Sequence, residues 1–165
     1  MFKSGFIGIV GRPNVGKSTL LNRIVGEKIA ITTRKPQTTR NRIMGIRNLA
    51  AGQLIFMDTP GIHRATTPLN RRMVGEAKET FRTVDAILLM TEAQVGVHRD
   101  DPYIIASLRE TPLPAILAIN KADLVKKPEL LPLIDRYRQL HAFAAIVPLS
   151  AVTGEGIEPL LEEIL

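Results

Sequence analysis

The chain has no cysteine among its 165 residues. It can therefore form neither a disulfide nor a thiolate metal centre, which fits a reducing cytoplasm. Its three histidines, His63, His98 and His141, are too scattered to suggest a metal triad. No apolar run approaches the roughly 20 residues that span a bilayer. Met1-Phe2-Lys3-Ser4 leads straight into an apolar strand, so no leader peptide is expected. Internal repeats, low-complexity tracts and a second domain are also missing. Acidic residues are scarce where basic ones gather: Arg23, Lys28, Arg34, Lys35, Arg40, Arg42 and Arg47 are opposed only by Glu27. That block, in a chain of net charge +6, either attracts the phosphates of a nucleotide or RNA or is a solvated surface, and the sequence leaves both open.

What is present is an alternation of short apolar runs with amphipathic stretches. With 45% hydrophobic and 23% charged residues, the composition is that of one globular domain with a proper core. Strands are expected at 6–10, 42–49, 54–57, 86–90, 114–119 and 144–149. The second and third are separated by Ala51-Gly52 and should pair as an antiparallel hairpin. Helices are expected after Lys17, over 68–82 with Leu69, Met73, Ala77 and Phe81 on one face, and over 100–110 with Tyr103, Ile104, Ala106 and Leu108 inward. Two more are expected, over 128–140, where Pro132 must fit the first turn or distort it, and from 155 or 156 to the end. Mostly apolar strands between helices imply a largely parallel six-stranded sheet, with one antiparallel edge strand and helices on both faces. Such α/β sheets bind ligands beyond the carboxyl ends of their strands.

Gly11-Arg12-Pro13-Asn14-Val15-Gly16-Lys17-Ser18-Thr19 follows the first strand and obeys G-x-x-x-x-G-K-[ST], the phosphate-loop pattern of P-loop NTPases. The two glycines let backbone approach a polyphosphate, and the N–H groups from Asn14, Val15 and Gly16 to Lys17, Ser18 and Thr19 form an anion nest at a helix start. Lys17 is placed to reach the β- and γ-phosphates, and Ser18 to hold Mg²⁺. Asp58-Thr59-Pro60-Gly61 ends another strand, where Asp58 can hold Mg²⁺ through water and Gly61 can offer its N–H to the terminal phosphate. Asn120-Lys121-Ala122-Asp123 fits [NT]-K-x-D. Asp123 can accept from the N1–H and N2–H₂ edge of guanine, a pairing adenine lacks, and sites of this kind reject the wrong partner by about 10⁴-fold. Asn120 can bond the base N7, the Lys121 stem can lie over the ring, and the Ser150-Ala151 loop can bring the Ala151 N–H to guanine O6.

With Lys35-Pro36-Gln37-Thr38-Thr39-Arg40, these motifs in this order make the chain similar to the Ras-like guanine-nucleotide-binding domains, and within them to the Era family of bacterial ribosome-assembly GTPases. The resemblance covers nearly the whole chain. It implies a Ras-like G domain over 1–165 that binds GTP and GDP with Mg²⁺ and hydrolyses GTP as a switch in small ribosomal subunit assembly. Thr39 would join Ser18 and Asp58 at Mg²⁺ in the GTP state, and Gly61 would anchor the second switch. Asn14 matches the phosphate-loop asparagine that in several relatives helps place K⁺, so Asn14, Lys17, Thr39 and Gly61 are the expected catalytic set. The implied partners are 16S rRNA and the small subunit; the implied protein is a cytoplasmic monomer, with peripheral association at the inner membrane left open.

Two departures bound that transfer. Ile62 follows Gly61, where Ras-like proteins carry a water-orienting glutamine, so slow hydrolysis is expected from phosphate positioning, Mg²⁺ and, as an open addition, K⁺. The family's C-terminal KH-type RNA-binding domain is expected to be absent from this chain. Two other readings stay open: an RNA- or ribosome-binding assembly module gated by nucleotide with little hydrolysis, and another Era-related GTPase, of the tRNA-modification or double-domain ribosomal kind.

Overall fold

The computed structural model describes residues 2–25, 43–57, 78 and 81–165. Within them the elements run β1 (Lys3–Gly11), α1 (Lys17–Val25), β2 (Ile43–Leu49), β3 (Gly52–Met57), β4 (Ala86–Glu92), α2 (Asp101–Leu108), β5 (Ala115–Asn120), α3 (Lys127–Leu140), β6 (Ala145–Pro148) and α4 (Ile157–Ile164). The strands form one six-stranded sheet of order β2-β3-β1-β4-β5-β6. β2 pairs antiparallel with β3 through the expected hairpin, and every other pairing is parallel. Most of the expected helix over 68–82 lies outside the described residues, as do Thr38, Thr39, Asp58, Thr59, Gly61, Ile62 and His63.

Period-two alternation sorts the apolar strands between two cores. Leu88 and Met90 of β4, with Ile116 and Ala118 of β5, face Leu20, Leu21 and Ile24 of α1 and Ile157, Leu160 and Leu161 of α4. Ile87 and Leu89, with Leu117 and Ile119, face Ile104, Ile105 and Leu108 of α2 and Leu133 and Tyr137 of α3. Burying each such side chain contributes about 1.5–3 kcal/mol, so the two-sided apolar strands are what commit the chain to a covered sheet.

Several boundaries move for physical reasons. β1 starts at Lys3 because Lys3, Ser4 and Gly5 pair with Gly52, Gln53 and Leu54 of β3, although that end is not apolar. Tyr103 and Ala106 are exposed rather than inward. The stripe α2 buries is Asp101, Ile104, Ile105 and Leu108, which begins on a charged residue that has a buried partner. Pro132 lies inside α3 on its exposed side, and the helix continues through it to Leu140. Because β1, β4, β5 and β6 are parallel, their carboxyl ends open onto one edge of the sheet, and the segments after them meet there.

Candidate functional site: the loops at the carboxyl edge

The loop after β1 takes a shape that its residue types demand. A Cβ on Gly11 would lie 2.7 Å from the Met90 carbonyl oxygen, and one on Gly16 would collide with Asn120 Nδ2. Gly16 also has φ +102°, which an L side chain rarely adopts. Val15 between them is fully buried, pinning the loop to the core below. The first helical bond of α1 runs from the Leu20 N–H to the Gly16 carbonyl at 2.9 Å, so the helix opens at Lys17 as its motif requires. Ser18 and Thr19 are exposed in its first turn. Lys17 Nζ reaches back over the loop and donates to the Gly11 carbonyl at 3.1 Å.

Asn120, at the end of β5, joins three segments distant in sequence. Its Nδ2 donates to the Val15 carbonyl at 2.8 Å, and its Oδ1 accepts from the Ala151 N–H at 3.0 Å. Both groups at which the sequence reading places base contacts, the Asn120 amide and the Ala151 N–H, thus bond each other in this structure. Ser150 is buried, and its hydroxyl accepts from the Thr153 N–H at 3.1 Å, which rounds the loop after β6. Lys121 is left-handed at φ 60°, and its ammonium donates to the Asn14 carbonyl at 3.1 Å and to Glu92 Oε2 at 2.8 Å. Asp123 follows in the short 3₁₀ turn Ala122–Leu124 and is exposed. The described members of the expected set, Asn14 to Thr19, Asn120, Lys121, Asp123, Ser150 and Ala151, therefore gather at one edge. Thr39, Asp58 and Gly61 lie outside the described residues.

Three charged residues that the motif reading passes over also belong to this edge. Asp101 is 1% exposed and accepts from Arg12 Nε at 3.1 Å, from the His98 N–H at 3.0 Å and from the Tyr137 hydroxyl at 2.8 Å. Burial, reinforced by the Asp101 charge, drives the Tyr137 phenol well above its ordinary value, so it remains a proton donor. Arg12 Nη2 lies 3.8 Å from Glu92 Oε1. In sequence, Asp100-Asp101 reads as an acidic first helical turn; the signal that could have found Asp101 is that α2 buries 104, 105 and 108, which puts 101 on the same stripe.

Two residues of the basic block are described. Arg23 Nε donates to the Ala151 carbonyl at 3.1 Å and its Nη2 donates to the Val152 carbonyl, so this guanidinium braces the loop after β6. Arg47 Nη1 donates to the Ile24 carbonyl at 3.1 Å. Both are turned to backbone, and the other five basic residues lie outside the described residues. Among the described residues no group of three His, Asp or Glu could hold a metal ion, and no helix is long and apolar enough to cross a membrane.

Comparison with known proteins agrees with this geometry. Residues 6–121 match the family of 50S ribosome-binding GTPases. GTPase Era of Syntrophus aciditrophicus (strain SB) is 63% identical over 164 residues, covering 99% of this chain and 54% of that protein. GTPase Era of Geotalea uraniireducens (strain Rf4) is 53% identical over 161 residues, covering 98% and 54%. The chain thus spans about half the length of the curated relatives it matches. Among solved structures, Era in complex with MgGDPNP and nucleotides 1506–1542 of 16S ribosomal RNA is similar at TM-score 0.81 and 39% identity, over 99% of this chain and 56% of that one. A point variant of Aquifex aeolicus Era bound to GDP·AlF₄⁻ is similar at TM-score 0.78 and 39% identity, with the same coverage. Over nearly its whole length the chain has the fold of these G domains.

Proposed function

Because the chain belongs to the 50S ribosome-binding GTPase family, we propose that it binds guanine nucleotide with Mg²⁺ and slowly hydrolyses GTP to GDP and phosphate, as a switch in small ribosomal subunit assembly. The observation that carries this reading is Asn120, bonded at once to Val15 of the phosphate loop and Ala151 of the loop after β6. A ligand lying along that edge meets phosphate donors at one end and base acceptors at the other. The anion nest from Asn14 to Thr19 and the Lys17 ammonium hold the phosphates; Asp123 accepts from the guanine edge, flanked by Asn120, Lys121, Ser150 and Ala151. On nucleotide entry Lys17 exchanges the Gly11 carbonyl for phosphate oxygens, and the Ala151 N–H exchanges Asn120 for the base O6.

The donors Ser18, Thr39 and Asp58 are hard oxygens, which suits Mg²⁺. Held by Ser18, Thr39 and Asp58, Mg²⁺ would supply positive charge that offsets the phosphate charge. Thr39 and Gly61 hold the two switch loops in the GTP state and release them when the γ-phosphate leaves. Ile62 can neither orient nor deprotonate water, so the chain's contribution to hydrolysis is positioning and charge, with Asn14 offering a carbonyl and amide toward K⁺. Era bound to a 16S rRNA fragment supports the ribosomal RNA partner. The test is calorimetric titration with GDP, GTP and ATP in Mg²⁺, followed by GTP consumption in K⁺ and in Na⁺. Guanine-selective binding with slow, K⁺-stimulated turnover is expected; ATP binding as tight as GTP would overturn the reading.

A further inference from the structure

Between the phosphate loop and the base-recognition loop stands a carboxylate that neither motif contains. Glu92 closes β4, the strand between β1 and β5, and is only 9% exposed. Its Oε2 receives the 2.8 Å charged hydrogen bond from Lys121, and its Oε1 faces the Arg12 guanidinium. Arg12 opens the phosphate loop, and Lys121 also donates to the Asn14 carbonyl in the middle of that loop. Asn14 and Lys121 are the two non-glycine residues with positive φ among the described residues. Two unfavourable backbone conformations, one in each loop, are thus joined by a single ammonium, and that ammonium is oriented by Glu92.

The charges balance as a set. Arg12 and Lys121 are matched by Asp101 and Glu92, each within ion-pair distance. Asp101 takes the Arg12 Nε, whereas Arg12 Nη2 makes no hydrogen bond among the described residues and lies 3.8 Å from Glu92 Oε1. Without Glu92, Lys121 would lose its buried anchor and swing toward solvent or phosphate, and Arg12 would keep half of its neutralisation.

We infer that Glu92 is a positioning residue for nucleotide binding: it holds Lys121 against Asn14 and faces Arg12, so one carboxylate sets phosphate grip and base grip together. This rests on the guanine-nucleotide reading above. The test is a double-mutant cycle of Glu92→Gln with Lys121→Met, read as the release rate of fluorescently labelled GDP. Glu92→Asp, which keeps the charge on a shorter stem, serves as the conservative variant. Glu92→Gln is expected to speed release about tenfold. In the Lys121→Met background the same change should alter release clearly less than in the wild type, because its closer partner is gone and only the Arg12 contact at 3.8 Å remains. Glu92→Asp should fall between wild type and Gln. If Glu92→Gln does not fold, the cycle is run with Glu92→Asp and the same coupling is required. Wild-type release from Glu92→Gln, release from Glu92→Asp as fast as from Glu92→Gln, or effects that simply add to those of Lys121→Met, would overturn the assignment. A wild-type chain that binds no GDP would overturn the nucleotide reading and this assignment with it; tight wild-type binding indifferent to Glu92 overturns this assignment alone.

Discussion

A carboxylate is the side chain that accepts from two adjacent donors at once, and guanine presents N1–H and N2–H₂ side by side. Asp123→Asn turns one acceptor into a donor, which then opposes the guanine edge and suits xanthine, whose C2 carries an oxygen. GDP affinity should fall by about two orders of magnitude and xanthosine diphosphate affinity should rise, measured by competition; an unaltered guanine preference would remove Asp123 from its role. Asp101 does different work. Asp101→Ala leaves the Arg12 guanidinium, buried at 7% exposure, with Glu92 at 3.8 Å as its remaining counter-charge, and should destabilise the chain by about 2–3 kcal/mol in urea titration. Tyr137→Phe removes one of three donors to the same carboxylate and should cost about 1–2 kcal/mol. Asp123 can be singled out in sequence because its motif is four residues long and its proposed chemistry is local. Asp101 was not, since its partner stands 89 residues away and two aspartates before a helix look like an exposed acidic turn.

The end of α3 shows how an element's own field is overruled by its neighbours. A helix carboxyl terminus attracts a cation, and Arg109 from the end of α2 supplies it, donating to the Leu140 carbonyl at 2.6 Å. His141 follows directly, its ring 4.9 Å from that of Phe143 in an edge-to-face contact. Burial first, and then the Arg109 charge, hold its pKa below the ordinary 6.5. The folded state therefore prefers the neutral ring, and the unfolded chain takes up a proton first as pH falls. This contribution is present above about pH 6.5 and is lost as pH drops through that value toward the lower folded one. His141→Phe should flatten stability between pH 7 and 5 relative to wild type in urea titrations at each pH; an unchanged slope would mean the ring is not held neutral. At this scale the sequence located the strands, since apolar runs and period two are local. Of the residues expected inward on α2, Ile104 and Leu108 are buried and Tyr103 and Ala106 are not, because the buried stripe runs from Asp101, whose ion pair is not a hydrophobic signal.

Across the whole molecule, the residues assigned to the ligand come from the ends of β1, β5 and β6, while α1 ties back to the loop after β6 through Arg23. No one of these segments can hold a nucleotide alone. The Asn120 and Lys121 bonds bring them to one edge, and a ligand spanning that edge adds contacts only the native arrangement can make. Such a ligand stabilises the fold by mass action: at about 100 times its dissociation constant the gain is about 2.7 kcal/mol. For a chain of this length that corresponds to a rise of about 5–10 °C in the thermal midpoint. GDP with Mg²⁺ should produce this shift and ADP should not. Chelating Mg²⁺ with EDTA should shrink it, because the ion is proposed to join the phosphates to Ser18. The control lies in Gly16→Ala, whose new Cβ meets Asn120 Nδ2 at φ +102° and so breaks the bridge between phosphate and base loops. That variant should lose the GDP shift while its own ligand-free transition remains cooperative, since the two cores on either side of the sheet do not pass through Gly16. A Gly16→Ala chain that GDP still stabilises by the wild-type amount would show that the ligand does not lie along this edge.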